Sequence, residues 1–193
     1  MLERSARAIS TWLIRHRAIE PDDRELYEYA VQSLLITIAP LFFALLIGVF
    51  MGRLRESVVL ILPFMLIRKF SGGYHAKRAW ICFIVSCGIL TLCIYAASNL
   101  TCGIALHLAT LIAILSLTAC SPIDSENRRL EPGERRRYKL AVVVLSLLFG
   151  LLYTGLHVCG ADLYAVCISV GLLLAAGLQL PCLFSRGLSI THG

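Results

Sequence analysis

Residues 79–123 read AWICFIVSCGILTLCIYAASNLTCGIALHLATLIAILSLTACSPI and contain no Asp, Glu, Lys or Arg. A helix of about 20 apolar residues crosses the ~30 Å hydrocarbon core of a bilayer, so this stretch is long enough to cross it twice. The run is interrupted at Asn99–Gly103, where Asn, Thr and Gly form a turn-like cluster. The stretch therefore predicts two membrane-spanning helices joined by a short turn.

Further uncharged runs lie on both sides, at residues 29–52, 57–67, 140–161 and 163–185. Together with a hydrophobic content of 58% and a mean hydropathy of +0.79, they exclude an ordinary soluble domain. We predict an all-α polytopic membrane protein with about six transmembrane segments, in a single integral membrane domain of residues 1–193. Its predicted parts are cytoplasmic or interfacial helices (1–30), a first hairpin (31–67), a polar loop with a helix start that is the candidate catalytic segment (68–82), a second hairpin (83–121), a basic cytoplasmic loop (122–139) and a third hairpin (140–181).

The N-terminal stretch predicts an amphipathic helix. Apolar residues recur on one helical face at Leu2, Ala6, Ile9 and Leu13. Trp12 lies beside this face and the arginines lie off it, which is typical of a helix in the membrane interface. The alternative is an arm that packs on the protein's own surface. The first apolar run begins only behind this charged stretch, so no cleavable signal peptide is predicted, and a second helix is expected to run through Tyr27 into the first span.

The second apolar segment, Ser57–Ile67, is short. At 1.5 Å per residue it covers about 16 Å, roughly half of the hydrocarbon core, and Pro63 weakens it further. Either the helix extends into Leu54–Glu56 and the start of the basic loop, or the segment is a half-helix.

The basic residues predict the topology. Five Lys or Arg fall in residues 1–30, four in 68–78 and six in 121–139, whereas the turns at 99–102 and 159–162 have none. This distribution predicts cytoplasmic termini and a cytoplasmic 68–82 loop, with Arg53 and Arg55 as the exception. The net charge of +6 is accordingly interpreted as topology and contact with anionic lipid, with no nucleic-acid partner.

Eight cysteines would suggest a disulfide framework in a small secreted protein. Most of them lie inside apolar runs, where a thiol usually acts as a small buried apolar group. The sequence has no CxxC pair and no His/Cys/Asp cluster with zinc-ligand spacing. We therefore predict no structural disulfides, no metal site and no cofactor.

The chain's main polar island, Arg68–Cys82, reads RKFSGGYHAKRAWIC and joins a basic loop to a span. A cysteine becomes a nucleophile when a nearby base or cation stabilises its thiolate. Cys82 is the candidate nucleophile and His75 the candidate base, with added positive potential from Lys69, Lys77 and Arg78. The alternative is an interfacial histidine beside a core cysteine.

The spacing places a condition on this pair. On one straight helix, residues seven apart are separated by ~10 Å along the axis, too far for a hydrogen bond. His75 is therefore expected on a loop that folds back toward Cys82, with Gly72 and Gly73 supplying the backbone freedom.

Gly72-Gly73-Tyr74-His75-Ala76, followed by Cys82, resembles the motif of the accessory gene regulator protein B (AgrB) family. The later stretch Pro122–Leu130 resembles that family's second recognisable segment. The order of the two motifs, the length and the number of apolar segments also match.

The resemblance implies a cysteine endopeptidase of the bacterial cell membrane that processes a quorum-sensing propeptide similar to AgrD and acts as a homodimer. Cys82 and His75 would be catalytic. A thioester acyl-enzyme on Cys82 would be captured by a substrate thiol or hydroxyl, which closes a thiolactone or lactone ring.

Other polar residues have weaker interpretations. Asp124 and Asn127 are candidates for a third catalytic member, although we expect them to cap a helix and shape the loop. Ser86 lies one helical turn beyond Cys82 and can orient a group there. His107 and His157 lie inside apolar spans without an evident partner.

The basic loop has two interpretations. Its arginines either set topology and contact lipid headgroups, or they bind an acidic segment of the propeptide by charge complementarity. The residues concerned are Arg128, Arg129, Arg135, Arg136 and Arg137.

Two other classes of function remain open. The same spans would suit a peptide exporter or permease, or a membrane scaffold that presents a basic loop. The sequence has no GxxxxGK[ST] motif, which excludes an ATP-driven pump in this chain alone.

Overall fold

The computed structural model describes residues 2–16, 19–20, 23–71, 79–123 and 132–180. Within these ranges the chain forms α-helices and no strands, which confirms the all-α class. The helices are α1 (Leu2–Arg15), α2 (Arg24–Phe50), α3 (Leu54–Ser71), α4 (Ala79–Asn99), α5 (Ile104–Cys120), α6 (Pro132–Val158) and α7 (Asp162–Gly177).

The N-terminal helix forms as predicted and contacts α2. Ser10 is buried and Arg7 lies 3.8 Å from Glu28 of α2, whereas Trp12 stays 57% exposed. Helix α1 therefore packs on its own chain and still presents an aromatic side chain outward. Helix α2 runs through Tyr27 without interruption, as predicted.

The second apolar segment is not a half-helix. Helix α3 is continuous over 18 residues and passes through Pro63, so it reaches about 27 Å. It extends into Leu54–Glu56 at one end and Arg68–Ser71 at the other, because charged residues are tolerated where a helix leaves the apolar region. The reversal from α2 depends on Gly52, whose φ of +66° lies in the left-handed region that glycine adopts at low cost.

Helix α7 is the central element. All side chains from Ala165 to Leu172 are buried, and α3, α4, α5 and α6 contact it. The approach of α3 is closest at Gly171, where a Cβ atom would lie 2.4 Å from the Leu60 carbonyl oxygen and 2.8 Å from the Pro63 ring. The missing side chain of Gly171 thus provides the space that the proline of α3 occupies.

Part of the predicted basic loop is helical. Residues 132–139 were expected in a loop, but α6 begins at Pro132 and carries this basic stretch as helix. Proline is favoured at the first helical position, and Glu134 in the first turn is favourable near the positive end of the helix dipole.

One helix among the described residues, Gly133–Val158, is long and apolar enough by length and composition to cross a membrane. Shorter apolar helices occur at Leu41–Phe50, Ile84–Ala97, Ile104–Cys120 and Asp162–Gly177. The number of six transmembrane segments stays a prediction.

Candidate functional site

The two sequence motifs begin side by side at one end of the helix bundle. The backbone N–H of Ile123 donates to the carbonyl oxygen of Ser71 at 2.9 Å. Ser71 is the last residue of α3, directly before Gly72, and Ile123 directly precedes Asp124. The Gly-Gly-Tyr-His stretch and the Pro-Ile-Asp stretch therefore leave the described structure from neighbouring points.

A buried side-chain contact reinforces this meeting point. Gln179 Nε2, just beyond α7, donates to Ser121 Oγ at 2.7 Å, and both side chains are buried. Gln179 Oε1 is also buried and has no hydrogen-bond partner among the described residues. We call Ser71, Ser121, Ile123 and Gln179 the junction, because they join α3, α5 and α7 at this end.

Lys69 and the basic residues at the start of α6 lie at the same end. Phe70 of α3 and Tyr138 of α6 make an edge-to-face ring contact with centroids 5.6 Å apart. Next to this contact, Lys69 is exposed, and its Nζ lies 5.6 Å from the Phe70 ring. The predicted substrate-binding residues Arg135, Arg136 and Arg137 are exposed on the first turns of α6. We call this face the basic end.

Cys82 lies in the first turn of α4, which begins at Ala79. Ser86 follows one turn later and is half-buried. The side chain of Cys82 and all of His75 lie outside the described residues.

Other predicted site residues also lie outside the described ranges, and their roles stay predictions. They are Gly72, Gly73, Tyr74, Lys77, Arg78, Asp124, Asn127, Arg128 and Arg129.

A second polar cluster, which sequence reasoning missed, lies at the opposite end of the bundle. His157 Nδ1 and Asp162 Oδ1 are 2.6 Å apart, and the Cys102 Sγ atom lies 3.8 Å from the Asp162 carbonyl oxygen. Candidate ligand atoms of these three residues all lie within 4.8 Å of one another. We call Cys102, His157 and Asp162 the turn-end cluster, since they lie at the turns that follow α4 and α6.

His107 and His157 therefore have partners, contrary to the sequence interpretation. His107 Nδ1 lies 2.5 Å from the Tyr153 hydroxyl, and the His107 and His157 rings are 4.9 Å apart. Cys102 and His157 lie too far apart along the chain to belong to one short sequence motif for metal binding or catalysis. The sequence contained only a weaker indication of this cluster. Its residues border two turns that contain no Lys or Arg, and the predicted topology places both turns on the same side of the membrane.

The turn-end cluster resembles a Cys–His–Asp nucleophile site in composition only. Desolvation raises the pKa of the Cys102 thiol, and the charge of Asp162 raises the pKa further. A thiol with a raised pKa is a poor nucleophile unless a bound cation stabilises its thiolate. Cys102 is therefore a weaker candidate for attack on a peptide bond than a cysteine at a helix N-terminus.

Comparison with known proteins agrees with the motif resemblance. The sequence model of the family described as accessory gene regulator B matches residues 6–181 of this chain. A protein of Clostridium acetobutylicum, provisionally named AgrB-like, is 26% identical over 150 residues, which cover 77% of this chain and 72% of that protein. No solved structure matches this chain.

Proposed function

Because the chain belongs to the accessory gene regulator B family of membrane proteins, we propose that it is a membrane cysteine endopeptidase of peptide quorum sensing. In this proposal it removes the C-terminal part of an AgrD-like propeptide and cyclises the remainder. The hydrogen bond between Ile123 and Ser71 carries the proposal, because it brings the starts of both family motifs together beside α6. If the segment after Ser71 is catalytic, the basic surface of α6 is close enough for both to act on one bound substrate.

The position of Cys82 suits a nucleophile. The first N–H groups of a helix have no intrahelical partner and carry partial positive charge, which stabilises a thiolate in the first turn. Cys82 occupies this turn of α4. The neighbouring cations Lys77 and Arg78 precede the helix directly and add to the same potential.

In the proposed reaction, His75 takes the proton of the Cys82 thiol as its sulfur attacks the scissile carbonyl carbon. The C–N bond breaks, and His75 returns the proton to the leaving amine. The N-terminal part of the propeptide stays on Cys82 as a thioester. A substrate thiol then attacks this thioester, closes the ring and releases Cys82; exchange of one thioester for another is close to thermoneutral. Exclusion of water favours this ring closure over hydrolysis.

The bundle surface supports a position inside the membrane. Many large apolar side chains of α5 and α6 point outward, such as Ile104 at 78% and Leu151 at 72% exposed. In contrast, hydroxyl groups pair inside, as Thr110 and Ser169 do at 2.6 Å. Soluble monomers rarely expose so much contiguous apolar surface. We propose six crossings with the basic end in the cytoplasm; Arg53 and Arg55 at the opposite end remain the exception to the positive-inside pattern. A homodimer is part of the proposal.

The direct test is co-expression of the chain with its propeptide, followed by mass spectrometry of cell and medium fractions. A shortened peptide lighter by one water than the linear product would establish cleavage with cyclisation. An intact propeptide in both fractions, with the chain inserted in the membrane, would contradict the peptidase proposal. Intact propeptide that accumulates in the medium would favour the exporter.

Reversing the charge of Arg135, Arg136 and Arg137 to Glu should lower the cleavage rate by about tenfold or more, because an acidic segment of the propeptide would lose its binding surface. The rate is measured in membranes in which insertion and orientation of the variant have been verified. The matched control reverses Arg53 and Arg55, which lie at the other end of the bundle and should leave the rate unchanged. Cleavage by the Arg135–Arg137 variant at the wild-type rate would show that these arginines do not bind the propeptide.

Ser121→Ala should destabilise the chain by about 1–3 kcal/mol, because it leaves a buried Gln179 amide without its hydrogen-bond acceptor. Thermal unfolding in detergent measures the loss, and the cleavage rate should fall with it. Thr118→Ala is the matched control on the same helix, since the Thr118 hydroxyl bonds only to carbonyl groups of its own helix. Equal stability of the two variants would show that the Gln179–Ser121 contact contributes little.

A further inference from the structure

Three potential metal ligands of different types converge at the turn end of the bundle, each from a different element. Cys102 lies in the turn between α4 and α5, His157 in the last turn of α6, and Asp162 at the start of α7. Their candidate ligand atoms lie within 4.8 Å of one another. We propose that Cys102, His157 and Asp162 form a zinc site that links these three elements. The proposal rests on these contacts and is independent of the peptidase activity.

The types of ligand atom in the turn-end cluster indicate which cation it would bind. A thiolate, an imidazole and a carboxylate are the ligand types that Zn²⁺ combines in proteins, with bonds of about 2.0–2.3 Å. Mg²⁺ and Ca²⁺ prefer sets made only of oxygen, and a thiolate disfavours them. Three protein ligands leave one tetrahedral position for water or for a further donor.

The present distances require only small side-chain movements. Donors around tetrahedral zinc lie about 3.3–3.6 Å apart, given the bond lengths of such sites. The His157–Asp162 contact of 2.6 Å would open slightly, as its hydrogen bond is exchanged for two bonds to the cation. The side chains of His157 and Asp162 are 39% and 55% exposed, which provides both freedom to move and an entry path.

The histidine behind the cluster supports the proposed ligand. The His107 ring lies 4.9 Å from the His157 ring, and His107 Nδ1 is held 2.5 Å from the Tyr153 hydroxyl. The packing of the His107 ring against the His157 ring restricts the orientation of the proposed ligand.

Zinc at this position would cross-link the turn after α4 to the turn after α6. The turn after α4 and the turn after α6 are far apart in sequence, and the Cys102 thiol contacts the backbone carbonyl oxygen of Asp162 where they meet. A cation bound to the folded chain stabilises it in proportion to the logarithm of its free concentration over Kd. We expect the midpoint of thermal unfolding to rise by about 5–10 °C at zinc concentrations near 100 times Kd.

The test uses the full chain in detergent with Cys82→Ala, so that the His75–Cys82 pair cannot contribute a thiolate. Co²⁺ alone, and then Zn²⁺ in competition, are titrated while absorption is recorded. One Co²⁺ per chain is expected, with a thiolate-to-cobalt band in the near ultraviolet and visible bands of a tetrahedral site that zinc abolishes.

Two further substitutions and a control decide the assignment. Adding Cys102→Ser should remove the thiolate band, and adding His157→Gln should weaken binding at least about tenfold while the band persists at saturation. Cys159→Ser is the matched control, because this nearby exposed thiol lies outside the cluster. Absence of saturable binding, or an unchanged band in the Cys102→Ser chain, would overturn the proposal and leave the cluster as a hydrogen-bonded contact.

Discussion

Cys82→Ala should abolish cleavage of the propeptide, since no other group can form the acyl-enzyme that the proposed reaction requires. Cys82 lies in the first turn of α4, and the substitution removes only its sulfur, so the helix should form as before. The measurement is mass spectrometry of propeptide co-expressed with each variant. Intact propeptide is expected with Cys82→Ala, at equal amounts of membrane-inserted protein.

His75→Ala should reduce the rate by about 100- to 10,000-fold, the usual contribution of a general acid–base group. Cys87→Ala is the matched control, because it removes a thiol from the same helix and should cleave at the wild-type rate. Cleavage by Cys82→Ala at the wild-type rate would show that this cysteine only packs the helix. A function as an exporter or a scaffold would then explain this result better than peptidase activity.

Among Gly→Ala substitutions at the described glycines, Gly171→Ala should cause the largest loss of stability. The added Cβ would lie 2.4 Å from the Leu60 carbonyl oxygen, and backbone cannot move aside as the end of a flexible side chain can. Either α3 and α7 separate or the Pro63 region bends, and overpacking of this kind costs about 1–3 kcal/mol or more. Thermal unfolding in detergent measures the loss.

Helix α3 ends at Ser71, so its displacement should also reach the following segment, which contains His75, and the cleavage rate should fall as well. Gly88→Ala in α4 is the matched control, because a Cβ there meets nothing within 4 Å. The control should be neutral or more stable by about 0.5–1 kcal/mol, the usual gain for alanine in a helix interior. A Gly171→Ala chain as stable as the control would show that the close approach of α3 to α7 is not required.

The local pattern of the sequence determined the helices and the family. The uncharged runs predicted α4 and α5 almost to their ends, and the turn at Asn99–Gly103 separates them as expected. The Gly72–Cys82 motif identified the family without any tertiary information. Runs of apolar residues and short motifs are local properties, so a single sequence is sufficient to detect them.

The length of two helices depended on more than the apolar runs. Helix α3 continues past its apolar segment at both ends and through Pro63, whose ring occupies the space that Gly171 of α7 leaves. Helix α6 begins in the predicted basic loop at Pro132. Helix ends and prolines depend on neighbours that lie far away in sequence, and hydropathy alone cannot identify those neighbours.

Only the tertiary structure decided which polar groups meet. The lack of Lys and Arg in two turns predicted that they share one side, but not that Cys102 lies beside Asp162 or that His157 bonds to it. Likewise, nothing local to Ser121 indicates Gln179 as its partner. These contacts are between residues more than fifty positions apart or on different helices, and they follow from how the helices pack around α7. Periodicity reports which face of a helix is buried, whereas the rotation and register of packed helices determine what each buried group contacts.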